Sequence, residues 1–203
     1  MTDPPYRIVT QRLVVRCWEP CDAPMLKEAI DSSVDHLRPW MPWAAHEPQP
    51  LDQKVQLLRG FRGRFDLGQD FTYGIFDAGE REALGGTGLH TRVGEDAFET
   101  GYWIRESRAG EGLATETAAA LTRVAFDVCG VDRMEIRTDP ANERSRAIPL
   151  KLGYAEEAVL RRRLRQPEPR DVVVYTLFRD DFASSPAASA AVEAYDVTGA
   201  RVL

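Results

Sequence analysis

A short glycine loop between an apolar strand and an amphipathic helix constrains this chain more than any other feature. The loop lies in the stretch Tyr102-Trp-Ile-Arg-Glu-Ser-Arg-Ala-Gly-Glu-Gly-Leu-Ala-Thr-Glu116. The first turn of a helix leaves main-chain N–H groups without partners, and the helix dipole favours an anion at that end. Gly110 and Gly112 have no Cβ, which lets a phosphate approach the main chain closely. The sequence therefore predicts a phosphate-binding loop.

Two common nucleotide-binding motifs do not fit this loop. No Lys-Ser or Lys-Thr pair follows Gly112, as a nucleoside-triphosphate P-loop requires, and Thr115 occupies the position of the third glycine of the dinucleotide fingerprint. The loop is therefore expected to hold the diphosphate of some other carrier. Because a Gly-x-Gly pair alone often marks a plain turn, this prediction depends on the strand before it and the helix after it.

The composition narrows the class of protein. A chain of 203 residues with 43% hydrophobic residues suits one domain with a substantial core. The net charge of −6 argues against general nucleic-acid binding. Cys17, Cys21 and Cys129 form no dense framework, which favours reduced thiols and a cytoplasmic location. The sequence shows no signal pattern and no bilayer-spanning apolar run, so no membrane association is expected.

The spacing of apolar residues predicts alternating strands and helices. Strands are expected over residues 12–18, 71–76, 83–90, 98–104, 133–138, 154–160 and 172–178. Helices are expected over residues 22–33, 52–65, 112–129 and 142–152. Antiparallel hairpins come first and a β-α-β crossover follows. The fold class is therefore α/β (α+β), with one mixed, mostly antiparallel sheet of about seven strands and helices on both faces.

The composition also divides the chain near residue 184. Residues 1–183 are expected to form one domain, and residues 184–203 a separate tail. The tail begins with Ser-Ser-Pro-Ala-Ala-Ser-Ala-Ala, a low-complexity run that is typical of mobile termini. A flexible C-terminal tail is therefore predicted.

Three segments, in order along the chain, resemble one known family. They are Leu37-Arg-Pro-Trp-Met-Pro-Trp43, then Gly101-Tyr-Trp-Ile104 with the loop Ser107-Arg-Ala-Gly-Glu-Gly-Leu-Ala-Thr-Glu116, and then Asn142-Glu-Arg-Ser145 with Lys151-Leu-Gly-Tyr154. Over residues 12–181 the chain resembles the Gcn5-related N-acetyltransferase (GNAT) superfamily, and within it the RimJ/RimL-type branch that acetylates ribosomal-protein N-termini. The resemblance implies acetyl-CoA as cosubstrate, no metal, and a GNAT-type sheet splayed at its centre over the domain of residues 1–183.

The expected cofactor contacts follow from the loop and the splayed sheet. The pyrophosphate would lie on main-chain N–H groups of the loop, and pantetheine would dock like an added strand on the opened strand edge. Glycines inside the strand 83–90 predict a bulge or the close approach of another backbone. Glu111 is expected to point to solvent, with its charge offset by Arg108 and Arg105. The predicted cofactor-binding residues are Trp103, Ile104, Arg108, Gly110, Glu111, Gly112, Leu113, Ala114, Asn142 and Lys151.

The implied reaction is attack of an amine on a thioester, which needs a proton acceptor and an acid for the leaving thiolate. Glu99 is the candidate base, and the alternative is an ion pair on the sheet surface. The branch carries a carboxylate where this chain has Arg162-Arg-Leu-Arg165, so the base remains open. Ser145 would donate a hydrogen bond to the sulfur, with helix capping as the alternative. Asn142 would bond pantetheine, with a turn role after Pro140 as the alternative.

The predicted acceptor-binding residues are Trp40, Trp43 and Tyr102, although the two tryptophans could instead pack between helices. His90 is a further possible base, because it ends a strand near the same site. None of the three histidines has metal-ligand spacing. The basic run Arg161, Arg162, Arg163 and Arg165 could grip an acidic peptide or RNA, or could be a solvated strand edge.

The function predicted from the sequence is acetyl transfer from acetyl-CoA to a primary amine, by direct attack while both substrates are bound. The acceptor could be a protein N-terminus or a small amine, such as an antibiotic or a toxin. Two alternatives stay open: a non-catalytic CoA-binding sensor or partner module, and a transferase of a larger acyl group such as succinyl. The resemblance also allows a homodimer.

Overall fold

The computed structural model of the chain describes residues 2–164 and 168–203. One group of strands comprises β1 (Arg7–Val9), β2 (Leu13–Cys17), β3 (Phe71–Asp77), β4 (Ala83–Leu89), β6 (Tyr102–Ile104) and β10 (Glu193–Tyr195). These strands form a six-stranded sheet in the order β10-β1-β2-β3-β4-β6. A second group comprises β5 (Ala97–Thr100), β7 (Arg133–Thr138), β8 (Ala155–Leu164) and β9 (Arg170–Phe178). They form a four-stranded sheet in the order β5-β7-β9-β8.

Helices cover both faces of the sheets. They are α1 (Ala23–Asp31), α2 (Val34–Leu37), α3 (Leu51–Asp66), α4 (Leu113–Val124), α5 (Glu143–Lys151) and α6 (Arg179–Phe182). The 3₁₀ turns are Pro20–Asp22, Pro42–His46, Glu106–Arg108 and Pro186–Ser189, and a π turn, Ala125–Cys129, extends α4. The longer predicted helices and strands are confirmed, with ends that differ by a few residues.

The core consists of two apolar clusters, one on each face of the sheets. On one face, Trp18 and Phe76 pack with Leu26 of α1 and Leu58 of α3. On the other face, a larger cluster joins the sheets to α4, through side chains that include Leu121. The helices are therefore held by the apolar stripes that the sequence spacing predicted.

The two sheets are one structure that opens at Gly101. β5 and β6 follow each other along β4 in a single antiparallel register, because His90 bridges Glu99 and Gly86 pairs with Trp103. β7 pairs in parallel with β5 but not with β6, and its other edge pairs antiparallel with β9. Beyond Gly101, β6 stays with β4 while β7 turns away with the second sheet. This confirms the predicted splay and the predicted β-α-β crossover, in which α4 connects β5 to β7.

Glycines in β4 allow β6 to approach closely. A Cβ on Gly85 would lie 2.0 Å from the carbonyl oxygen of Trp103, and one on Gly86 would lie 2.6 Å from Nε1 of the same residue. Any larger side chain at either position would push β6 or its tryptophan aside. The expected close approach of another backbone is confirmed at Gly85, whereas the close neighbour of Gly86 is the Trp103 side chain.

The C-terminal segment differs from the predicted separate, flexible tail. β10 pairs antiparallel with β1 and forms the edge of the six-stranded sheet. Ala187 and Ala194 are fully buried. Small side chains suit these tightly packed positions, so a composition that suggested mobility instead fits a buried edge. Both β1 and β10 contain three residues, too few for a periodic pattern to predict.

No helix in residues 2–164 and 168–203 combines the length and hydropathy needed to cross a membrane. Cys17, Cys21 and Cys129 are all free. Burial raises the pKa of Cys17 to about 11 and that of Cys129 to about 12. These two buried thiols therefore stay protonated at neutral pH and act as apolar core groups.

Candidate active site

The glycine loop presents a continuous array of main-chain donors. Gly110 and Gly112 adopt positive φ values of 87° and 81°, and α4 begins directly afterwards. The N–H groups of residues 110–115 have no acceptor within the described parts of the chain. Glu116 is the next donor, and its N–H bonds to the carbonyl of Gly112 at 3.1 Å. Six adjacent free donors at a helix N-terminus form a site for an anion. We call residues 110–115 the anion-binding loop.

The two carboxylates beside this loop are turned away and neutralised. Arg108 donates to Glu111 through Nε at 2.9 Å and through a terminal nitrogen at 3.1 Å. These bonds hold the pKa of Glu111 below its usual range. Glu116 accepts from Arg12 Nε and from the Thr10 hydroxyl, both at 2.6 Å. The loop therefore keeps its capacity for a negative ligand, and Glu111 is exposed as the sequence predicted.

Arg105 does not help to offset Glu111, contrary to the expectation from the sequence. Its guanidinium is buried and pairs with Glu28 at 2.7 Å and Glu82 at 2.7 Å. Arg105 also donates to the hydroxyl of Ser107 at 3.0 Å. Arg105 therefore connects the 3₁₀ turn Glu106–Arg108, which precedes the loop, to Glu28 of α1.

The free edge of β6 differs from the predicted edge in one residue. His90 and Glu99 exchange both main-chain hydrogen bonds, and Arg105 N–H bonds to the Leu84 carbonyl at 2.8 Å. Hydrogen-bonded pairs recur at every second residue of an antiparallel ladder, so Trp103 directs its main-chain groups towards β4. Tyr102 and Ile104 direct theirs into the opening. The prediction for Ile104 fits this geometry. The prediction that the main chain of Trp103 is unpaired is corrected, because it pairs with Gly86.

The N-terminus of α5 brings Asn142 and Ser145 to the opening. Asn142 caps the helix, because its Oδ1 accepts from the N–H of Ser145 at 3.1 Å. The capping role considered for Ser145 thus belongs to Asn142, whose side-chain NH₂ remains a donor. The hydroxyl of Ser145 has no hydrogen-bond partner in the described residues. Lys151 is exposed in the last turn of α5.

Tyr102 connects β6 to this helix. Its hydroxyl donates to the carbonyl of Ser145 at 3.3 Å. Burial raises the pKa of Tyr102 to about 12, so the phenol stays protonated at neutral pH. Tyr102 therefore fixes α5 against the opening and keeps Ser145 at its wall.

A cavity of about 1030 Å³, which we call the central cavity, lies over the opening. All four tryptophans of the chain line it: Trp18, Trp40, Trp43 and Trp103. The rings of Trp43 and Trp103 meet edge to face, with centroids 5.7 Å apart. Ser145, Asn142 and Tyr102 line the same cavity. The structure therefore brings the predicted acceptor-binding residues and Ser145 to one space.

Glu99 also lines the central cavity, but its carboxylate is engaged in ion pairs. Arg92 donates to it through Nε at 3.0 Å, and Nε of Arg137 lies 3.6 Å away. This is the ion-paired role that the sequence left open beside the role of base. Arg92 and Arg137 were not singled out in the sequence, because their partner lies on a different strand and no spacing rule connects them.

Two further observations concern charged groups. Arg161 and Arg162 are exposed on β8, Arg163 lines the central cavity, and Arg165 lies outside the described residues. Within the part of the chain that the structure describes, no group of three or more His, Cys, Asp or Glu side chains is arranged to hold a metal ion.

A row of free N–H donors at a helix N-terminus, a splayed sheet edge and an adjoining cavity suit an enzyme that binds a phosphorylated carrier beside a second substrate. The acetyltransferase (GNAT) domain family matches residues 12–155. The chain belongs to this family and is an N-acetyltransferase.

Similar proteins and solved structures agree with this. The chain is 27% identical over 177 residues to YdaF of Bacillus subtilis, covering 86% of this chain and 95% of YdaF; the assignment of YdaF as a ribosomal N-acetyltransferase is itself provisional. It is 28% identical over 159 residues to the [ribosomal protein uS5]-alanine N-acetyltransferase of Escherichia coli, covering 76% of this chain and 80% of the relative. The structure of Mycobacterium smegmatis RimJ in complex with CoA-disulfide has the same fold, with a TM-score of 0.79, 23% identity, and coverage of 92% and 94% of the two chains.

Proposed function

We propose that this chain transfers an acetyl group from acetyl-CoA to a primary amine, which attacks the thioester directly while both substrates are bound. The observation that carries the proposal is the row of six unpaired N–H donors in the anion-binding loop, next to a strand edge that opens onto the cavity of Ser145. Such a row fits a diphosphate, and the open edge fits a carrier with amide groups.

The residues at the opening fit coenzyme A as the carrier. Gly110, Gly112, Leu113 and Ala114 would hold its pyrophosphate through their N–H groups. Each such contact contributes about 0.3–1 kcal/mol, so several are needed for useful affinity. Arg108 and Glu111 would flank the pyrophosphate as a neutral pair. Lys151 remains a predicted contact to the carrier, by its place in the family motif.

The pantetheine arm would lie along β6. The main-chain groups of Tyr102 and Ile104 that face the opening would bond its amides, and the free NH₂ of Asn142 would add a donor from α5. Trp103 would contribute its ring on the acceptor side. An N–H of this edge, with Ile104 as the candidate, would also hold the oxygen of the attacked carbonyl.

Ser145 would donate a hydrogen bond to the leaving sulfur. As the amine nitrogen bonds to the acetyl carbon, the carbon–sulfur bond breaks, and the proton that the nitrogen loses on becoming an amide passes to the thiolate. Ser145 is suited to stabilise that thiolate, since it lines the cavity and its hydroxyl has no partner within the described residues. One positioned acid of this kind contributes roughly 10²- to 10⁴-fold in rate.

The acceptor that we favour is a protein or peptide N-terminus. The named E. coli relative acts on the alanine of ribosomal protein uS5. A cavity of about 1030 Å³ lined by Trp40 and Trp43 can admit more than a single small side chain. Modification of such a protein would take place in the cytoplasm. A small amine remains the competing acceptor, and the two are separated by experiment.

The test is thiol release from acetyl-CoA with a panel of alanine- and serine-initiated peptides and of small polyamines. Calorimetry measures CoA binding in parallel. We expect CoA to bind and at least one amine to be acetylated, with Ser145→Ala lowering kcat about 100-fold and leaving the CoA Kd unchanged. The control is Ser184→Ala, an exposed serine outside the cavity, which should behave like the wild type.

Three results would change the assignment. Binding of CoA without turnover of any amine, and without an effect of Ser145→Ala, would support a non-catalytic CoA-binding module. Faster transfer from succinyl-CoA than from acetyl-CoA would support a larger acyl group. Absence of CoA binding at millimolar concentration would refute the proposal.

A further inference from the structure

Among the described residues, the three carboxylates that line the central cavity, Glu47, Glu99 and Asp139, each form an ion pair with a Lys or Arg side chain. Lys54 pairs with Glu47, whose second oxygen accepts from the N–H of Gln49 at 3.0 Å. Arg170 pairs with Asp139, and Glu99 pairs with Arg92 and Arg137, as described above. A carboxylate that already bonds to a cation is poorly placed to take a proton from a substrate.

The tyrosines of the cavity are also unsuitable proton acceptors. Burial raises the pKa of Tyr102 to about 12 and that of Tyr73 well above its ordinary value. The hydroxyl of Tyr73 donates to the Pro5 carbonyl at 2.8 Å. Among the described residues that line the cavity, this leaves His46 and His90 as candidate bases, each with a ring nitrogen that has no hydrogen-bond partner there.

His90 is oriented and His46 is not. Nδ1 of His90 lies 2.8 Å from Oδ1 of Asp70, with both side chains half-buried. The ring lies over Gly88, because a Cβ there would approach its Cε1 and Nε2 to 2.6 Å. A glycine at this position thus makes room for the imidazole on the floor of the cavity. His46 is exposed in the 3₁₀ turn at the cavity wall.

We propose that Nε2 of His90 accepts the proton that the acceptor ammonium must lose, and that Asp70 is the positioning residue that holds the ring. This inference rests on the proposed function. Because the carboxylate accepts from Nδ1–H, the lone pair stays on Nε2, beside the cavity. The ammonium N–H bond breaks, the proton moves to Nε2, and the freed amine can then attack the acetyl carbon.

The charges around His90 suit this role. The imidazolium that forms would lie against the carboxylate of Asp70, and Glu99 lies opposite it on β5 with its charge offset by Arg92 and Arg137. Burial by itself would raise the pKa of Asp70. The hydrogen bond to His90 and the nearby positive charges outweigh burial, so the pKa of Asp70 lies below its usual value. Asp70 therefore stays ionised at neutral pH.

The experiment uses the full chain and the amine that gives the fastest turnover in the panel. We expect His90→Gln to lower kcat about 100-fold at pH 7.5, with an unchanged CoA Kd. The control is His36→Gln in α2, a histidine outside the central cavity, which should stay within threefold of the wild type. His90→Ala should recover activity when imidazole is added, which a purely structural role would not allow. Asp70→Asn should lower kcat about tenfold and shift the acidic limb of the kcat/KM profile.

The outcomes separate this inference from the proposed function. If His90→Gln retains kcat within threefold, or if the acidic limb of the profile survives in that variant, His90 is not the base. A loss in Glu99→Gln that exceeds the loss in His90→Gln would assign the proton to Glu99. If His90→Gln fails to fold, imidazole rescue of His90→Ala tests the role of His90 as the base. If His90→Ala fails to fold, the comparison of the acidic limb between the wild type and His90→Gln tests it instead. Failure of CoA binding or of all turnover in the wild type would instead refute the transferase itself.

Discussion

The two sides of the candidate active site are built in opposite ways. The anion-binding loop uses main-chain donors from six consecutive residues, and glycines with positive φ set its shape. The central cavity uses side chains from α1, α3, both sheets and the turn Pro42–His46. A main-chain site tolerates many side chains but few backbone changes. A side-chain site has the reverse sensitivity, so the two sides can be separated by mutation.

The largest effect on stability and binding is expected at β6, because this strand belongs to both sides of the site. In Gly85→Ala, the new Cβ would overlap the Trp103 carbonyl and force β6 away from β4. We expect a loss of about 3 kcal/mol in the free energy of unfolding, at the upper end for overpacking, together with weaker binding of both substrates. Gly63→Ala in α3 is the control, because a Cβ there meets nothing within 4 Å and should stabilise by about 0.5–1 kcal/mol. Chemical denaturation measures both, and equal stabilities would contradict the close approach.

The next prediction separates the geometry of the anion-binding loop from the backbone strain that any side chain causes at a positive φ. Gly110 and Gly199 have φ values of 87° and 81°, and a Cβ at either meets nothing within 4 Å. Alanine at each should therefore cost about 1–2 kcal/mol of stability. Only Gly110→Ala disturbs the donor array, so we expect about a tenfold higher CoA Kd for it and no change for Gly199→Ala. Calorimetry gives the Kd, and an equal Kd in both variants would show that CoA does not use the loop.

A smaller effect is expected on the cavity side. Trp43→Ala removes the edge-to-face contact with Trp103 and part of the cavity wall. Such a contact is worth about 0.5–1.5 kcal/mol, so the KM for the amine should rise up to about tenfold. The CoA Kd should not change, because the loop is untouched. If Trp43→Ala changed the CoA Kd and left the KM for the amine unchanged, the Trp43 ring would belong to the cofactor site instead.

The smallest expected effect is a pH dependence of stability. The folded protein lowers the pKa of Asp70, so the folded state favours the carboxylate. This contribution is present above the pKa of the unfolded chain, near 3.9, and is lost as the pH falls through the lower folded pKa. Denaturation of Asp70→Asn should therefore depend less on pH below about 4 than denaturation of the wild type. Parallel curves would mean that the bond to His90 stabilises nothing.

The sequence by itself determined the features that depend on neighbours along the chain. The glycine loop and the helix after it and the β-α-β crossover could be predicted from the order and spacing of the elements. The helix that begins near residue 142 was also predictable, but its cap was considered for Ser145 and is made by Asn142. The family motifs then identified the acetyltransferase domain, which the family match confirms. The exposure of Glu111 was also predictable, since Arg108 is three residues away.

Only the tertiary structure decided what meets across the sheet. It turned the main chain of Trp103 towards β4, moved Arg105 to Glu28 and Glu82, and paired Glu99 with Arg92 and Arg137. It also placed residues 193–195 in the sheet. These contacts join residues far apart in the chain, and no local period or spacing encodes them. They follow instead from the register of the strands and from the space that glycines leave between them.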